Sequence, residues 1–142
     1  MINNLQEFHY YIGEAIMFCQ CIEIDIKLIY AGMLDGVFHE NYKGIKKWPL
    51  GKTVKELEEL DYSDRDPYFD RDEYAFLKKI TNIRNYLAHE AYTFFVYENN
   101  SEFERKFEKA IAKLEREHER LSKVHKTVEK ARLDFLRSYN RL

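Results

Sequence analysis

Between Ile80 and Tyr92 the chain gathers residue types able to do chemistry together: Thr81, Arg84, Asn85, His89 and Tyr92. On a helical wheel of about 100° per residue with Arg84 at zero, Ile80, Ile83, Leu87, Ala91 and Phe94 cluster near 300° as a packed face. Thr81 falls at roughly 60°, Tyr92 at roughly 80°, Asn85 at roughly 100° and His89 at roughly 140°, so with Arg84 they share one polar arc of about 140°. The arc carries a guanidinium that grips phosphate in a bidentate fork, an imidazole that titrates near neutral pH, and an amide able to orient either. Such a set suits attack on a phosphodiester. RNA cleavage requires a base for the 2′-hydroxyl, an acid for the leaving oxygen and positive charge for the transition state. One helix offers a single histidine, so acid and base are both supplied only if two copies meet across a two-fold axis and share a cleft. By spacing alone, the plain alternative is an Arg and a His on a solvated helix face.

The run Arg84-Asn85-Tyr86-Leu87-Ala88-His89 resembles the signature of the HEPN superfamily, an Arg followed after four to six residues by a His, commonly with a polar residue directly after the Arg. In helix order the resemblance extends over most of the chain, and in sequence over the motif and its neighbours. It implies an antiparallel helical bundle, a homodimer, and a metal-independent endoribonuclease of a toxin-antitoxin or other defence system. RNA would be the substrate, a cognate antitoxin protein a further partner, and no cofactor would be needed. Carried over residue by residue, Arg84 would stabilise phosphate charge and His89 would serve as acid or base. Asn85 would position the substrate, with Tyr92 and Thr81 beside it. In members paired with a nucleotidyltransferase antitoxin, a modified Tyr stands two residues after the His; here that place holds Ala91, and Tyr92 comes one residue later. Many HEPN-like domains are non-catalytic, so the alternative is a HEPN-like helical interaction or nucleotide-binding module.

The elements that must position these groups are also written in the periodicity. Leu5, Phe8, Ile12, Ala15, Cys19, Ile22, Ile26, Ile29 and Met33 recur in steps of three and four, predicting a long amphipathic helix from about Asn4 to Met33. Tyr11, Phe18, Ile24 and Leu28 form a second apolar series on other faces, a surface for a partner chain. Gly32, Gly36 and Gly44 break the pattern. Trp48 to Gly51 reads as a turn before a short helix opened by a Thr53/Glu56 capping box. The acidic stretch Asp61 to Asp72, containing Pro67, reads as a solvated loop, because the Gly and closing Glu of a calcium loop are missing. A third helix is predicted from Asp70 or Arg71 to about Val96. Asn99-Asn100 interrupts it, and a Ser101/Glu104 capping box opens a last helix with the seam Phe103, Phe107, Ala110/Ile111, Leu114, Leu121, Val124, Val128, Ala131 and Phe135. At 1.5 Å per residue that helix would span about 60 Å, whereas a compact chain of this length has a radius of gyration near about 14 Å. It is therefore expected to bend, fray, project or lean on another subunit. The expectation is an all-α antiparallel bundle of four to five helices, two of them long.

Composition agrees. The 142 residues suit one domain spanning 1–142, and five Gly with two Pro, none after Pro67, exclude folds that turn at short intervals. A charged fraction of 34% beside 45% hydrophobic residues excludes disorder, and no stretch approaches a membrane span. The balance of 23 basic against 25 acidic residues, net −2, gives no broad nucleic-acid footprint. Cys19 and Cys21 read as free thiols of a reducing compartment, and the first residues lack a signal-peptide pattern, so the expected location is cytoplasmic. No metal site is expected: Glu115 and His118 have di-iron spacing without the second copy such a site needs. His118 and His125 read as a solvated flank, and His9 and His39 as surface or partly packed residues.

Overall fold

Six helical segments carry the chain: α1 (Leu5–Met33), α2 (Phe38–Ile45), α3 (Leu50–Asp61), α4 (Arg71–Leu77), α5 (Ile80–His89) and α6 (Asn100–Ser138). They belong to a computed structural model that describes residues 1–138, and no strand occurs among the described residues. The Asn4 side chain caps α1, accepting from the Glu7 N–H at 2.8 Å. The predicted seam from Phe8 to Ile29 is buried, while Leu5 at its start is exposed.

Helix α6 lies along α1 and buries Ala110, Leu114, Leu121, Val128 and Phe135. Phe8 packs on Phe107, Phe18 on His118 and His125, Asp25 against Arg132, and Gly32 beneath Leu136. Both numbers rise together, so the two long helices run parallel. The predicted antiparallel order holds instead for α5 and the turns after it, which pair Arg84 with Glu23 and Tyr92 with His9 on α1, and Tyr86 with Lys113 on α6. At Gly32 a Cβ would stand 2.8 Å from Leu136 Cδ2, so a side chain there would require the end of that leucine to shift.

The length of α6, 39 residues, is accommodated within the protomer. One end enters a ring cluster of Phe8, Phe95, Phe103 and Phe107, with centroids 4.9 to 5.7 Å apart. At the other end Tyr68 packs edge-on against Phe135 at 4.9 Å. Between them α1 covers the seam, so α6 does not require another subunit for its support.

Several boundaries differ from expectation. Pro49 is the N-cap of α3, and Thr53 is a buried interior residue whose hydroxyl donates back to the Pro49 carbonyl at 3.3 Å. Proline's fixed φ and missing N–H suit a helix start, which displaces the predicted Thr53 box. Helix α6 is capped by Asn99, whose side chain accepts from Glu102 N–H at 3.3 Å, rather than by Ser101. The predicted start at Asp70 or Arg71 is correct: α4 begins at Arg71, and Asp70 caps it in a reciprocal capping box with Glu73. The acidic stretch is solvated at Ser63 to Asp66, Tyr68 and Asp70 to Asp72, but Asp61 and Phe69 are buried. Asp61 is 2% exposed and accepts from the N–H groups of Tyr68 and Phe69 and from the Tyr74 hydroxyl, the last at 2.6 Å.

The predicted helix to Val96 is broken twice. At Lys78-Lys79 the Lys79 N–H reaches back three residues to the Phe76 carbonyl at 2.9 Å, a 3₁₀ tightening that separates α4 from α5. Counting α4 and α5 as one kinked arm gives five arms. After His89 the sequence turns to Tyr92, Thr93, Phe94, Phe95 and Val96, β-branched and aromatic types of poor helix propensity. There the chain winds through tight turns, with Phe95 N–H on the Tyr92 carbonyl at 3.1 Å, which lets Tyr92 and Phe95 enter the ring cluster.

Candidate functional site

Helix α5 is short because both ends are bounded by turns, and it buries Ile80 and Leu87 while packing chiefly against α1. That packing fixes where each polar group points. Arg84 leaves the α1 edge of the helix, and its Nη1 donates to Glu23 Oε2 at 2.6 Å, with about a third of the side chain exposed. The other oxygen of Glu23 accepts from Lys27 at 3.3 Å, and Lys27 also donates to the Lys46 carbonyl at 2.8 Å. Glu23 is thus held from both sides and orients the guanidinium. Of the five N–H groups of an arginine, this single bond is the only one Arg84 makes among the described residues.

His89 is the last residue of α5 and is exposed, with no hydrogen bond or ion pair among the described residues. Asn85 is exposed one turn before it, and Thr81 is half-buried one turn earlier still. These three share the outward face of α5, as the wheel predicts. Tyr92 does not join them. It lies beyond the end of α5, half-buried against Phe8, and its hydroxyl is 2.6 Å from His9 Nδ1. Burial pushes the Tyr92 phenol above its ordinary pKa. The wheel position fails because the helix on which it was drawn has already ended.

Next to the Arg84 edge, α1 presents Tyr10, Gly13, Met17, Gln20 and Ile24 at helical spacing, all exposed. Tyr10, Met17 and Ile24 are 63%, 46% and 50% exposed, respectively. Of the second apolar series predicted for α1, Phe18 is buried and Tyr11 and Leu28 are half-buried, while Ile24 belongs to this open stripe.

Two residues that matter here leave little trace in the sequence. Glu23 lies 61 positions from Arg84, and its one signal is the run Ile22 to Lys27, where charges alternate with isoleucines in an apolar helix and must find partners. His9, which the sequence places as a surface or partly packed residue, is exposed and holds Tyr92. His118 and His125 are not on a solvated flank. Both are half-buried beside Phe18, His118 is hydrogen-bonded to Glu14, and His125 stands 3.3 Å from Glu129. Cys19 and Cys21 are free thiols, and burial pushes Cys19 up to about 12, leaving it unreactive near neutral pH. Among the described residues no group of three or more His, Cys, Asp or Glu is arranged to hold a metal ion, and no helix is long and apolar enough to cross a membrane.

No protein-family model, curated protein or solved structure matches this chain.

Proposed function

We propose that the protein is a metal-independent endoribonuclease of the HEPN type, acting as a homodimer in a toxin-antitoxin or defence setting. Arg84 would stabilise charge on the scissile phosphate, His89 would move the proton, and Asn85 would hold the substrate between them. The reading is carried by one observation: Asn85 and His89 stand open on one face of α5, while Arg84 is aimed by a single carboxylate contact beside an exposed apolar stripe of α1. A second copy covering Tyr10, Met17 and Ile24 would bring both Arg84 edges close to the two-fold axis.

The test is cleavage of RNA by purified protein in EDTA. Arg84→Ala and His89→Ala are each expected to abolish it with the fold intact by circular dichroism, and the products are expected to carry 2′,3′-cyclic phosphate. Undiminished cleavage by His89→Ala would sink the assignment. Met17→Lys with Ile24→Lys should yield monomers by sedimentation and lose activity together with the dimer.

The second reading, a non-catalytic helical interaction module, draws on the same Arg84–Glu23 pair taken as structural. Glu23→Gln separates the two. For a nuclease it frees the guanidinium and changes KM for RNA with little effect on folding. For a structural pair both Glu23→Gln and Arg84→Ala lower Tm, and RNA remains uncut.

A further inference from the structure

Helices α5 and α6 run antiparallel and part at their outer edge, leaving an open groove of about 710 Å³ that continues past Tyr86 and Lys113 into a second hollow of about 340 Å³. Lys109, Lys113 and Arg116 line the groove from α6 at positions i, i+4 and i+7, and Lys79 lines the continuation. None of these four makes an ion pair among the described residues, so all four are free to meet a ligand's charge. The acids on the walls are Glu90 and Glu117, so four cations against two acids leave a local excess of two in a protein whose net charge is −2.

The walls also offer ring faces. Lys113 Nζ stands 3.7 Å from the centroid of the Tyr86 ring, and Phe94 is 42% exposed at the groove. Unpaired cations strung along an open channel with aromatic surfaces between them fit a polyanion that carries planar groups, in the manner of single-strand binding. Each ring already faces one lysine, Tyr86 under Lys113 and Phe94 under Lys106 at 5.5 Å, and an acidic peptide would satisfy the cations without using the exposed surface of Phe94. The cations on α6 extend over about 10.5 Å of helix axis, seven residues at about 1.5 Å each, more than one phosphate can use. His89 adjoins Glu90 and lies about 60° round the helix from Tyr86, at the outer lip.

We propose that the α5/α6 groove holds a segment of single-stranded RNA, its phosphates on Lys79, Lys109, Lys113 and Arg116 and its bases against Tyr86 and Phe94, so that the strand is led to His89. The choice of occupant rests on the nuclease reading above.

The experiment measures fluorescence anisotropy of a short 2′-O-methyl oligonucleotide, which offers no 2′-hydroxyl for cleavage, on the full chain carrying His89→Ala at several salt concentrations. Adding Lys113→Glu and Arg116→Glu is expected to weaken binding more than tenfold and to flatten the slope of log K against log salt by about 1.4, at ~0.7 for each single-strand phosphate contact removed. Lys113→Gln alone, with unchanged circular dichroism, should show about half of that change in slope. Unchanged affinity and slope in the double variant, no binding by the His89→Ala protein, or equal binding of poly-glutamate would each overturn the groove. Cleavage by the wild type is scored separately. A protein that cuts RNA while its groove variants bind normally retains the nuclease reading and loses the groove; one that binds through the groove and cuts nothing retains the groove alone.

Discussion

At the scale of single residues, the fold uses charged side chains as fasteners in places where an apolar pattern would not require them. Asp61 ties together the end of α3, the following loop and α4. Glu23 aims Arg84. Glu14 joins α1 to α6 through His118, and that hydrogen bond holds the Glu14 carboxyl below its ordinary value. The sign of its linkage follows directly. A carboxylate whose folded pKa is depressed contributes stability above its unfolded value, near 4.5, and the contribution disappears as pH falls through the lowered folded value. Asp25 works in the opposite direction. Burial pushes its pKa up despite Arg132 at 3.3 Å, so its contribution is present below 3.8 and is lost as pH rises through the raised value. Thermal melts between neutral pH and pH 3 are therefore expected to show Glu14→Gln losing less than about 1 kcal/mol at neutral pH, as befits a partly solvated pair, and converging on the wild type at the acid end. A constant offset at every pH would show that Glu14 acts through packing instead of charge. Arg84 and His89 were legible as a pair because they share one helix and spacing on a helix is simple arithmetic. Their partners were not, since the Arg84–Glu23 and Tyr92–His9 contacts are set by how helices pack.

At the scale of elements, periodicity located both long helices and nearly all of their buried seams, because a stripe of apolar residues has to be covered whatever covers it. It misjudged the ends of shorter pieces, where Pro49 against Thr53 and Asn99 against Ser101 are competing local signals, and it ran α5 on through residues that gain more by burying rings in turns. Glycine positions in α1 can be read more finely. A Cβ at Gly32 would press on the end of the Leu136 side chain, but a Cβ at Gly13 would meet nothing within 4 Å. On the isolated protomer Gly13→Ala is expected to stabilise α1 by about 0.5 to 1 kcal/mol, the ordinary difference between these residues in a helix interior. Urea unfolding of the monomeric Met17→Lys/Ile24→Lys background measures this directly, and a loss there would mean that Gly13 serves the protomer itself. If Gly13 instead lets a second α1 approach closely, the same substitution in the unmodified chain weakens dimerisation in sedimentation, so stability and assembly move in opposite directions.

At the scale of the whole molecule, the protomer is self-sufficient in packing and, under the proposed reaction, incomplete in chemistry. Helix α6 finds its cover within the chain, while α1 leaves Tyr10, Met17 and Ile24 open beside an arginine held by one contact, and α5 ends on one exposed histidine. Under the proposed reaction a single imidazole cannot act as base for the 2′-hydroxyl and acid for the leaving oxygen in the same step. The active unit would therefore need His89 from both protomers, and mixing experiments expose this dependence. When wild-type and His89→Ala chains are unfolded together and refolded in equal amounts, random pairing leaves about one quarter of dimers with two histidines, roughly half with one and the rest with none. If both imidazoles are required, cleavage falls to about one quarter of that of the same total chain as wild type, and it follows the square of the wild-type fraction across a titration. Protomers that each carry a complete site would give about one half and a straight line. The curvature thus reports whether the cleft is shared, independently of which RNA is cut, and a straight line would confine catalysis to one protomer even where the protein is dimeric.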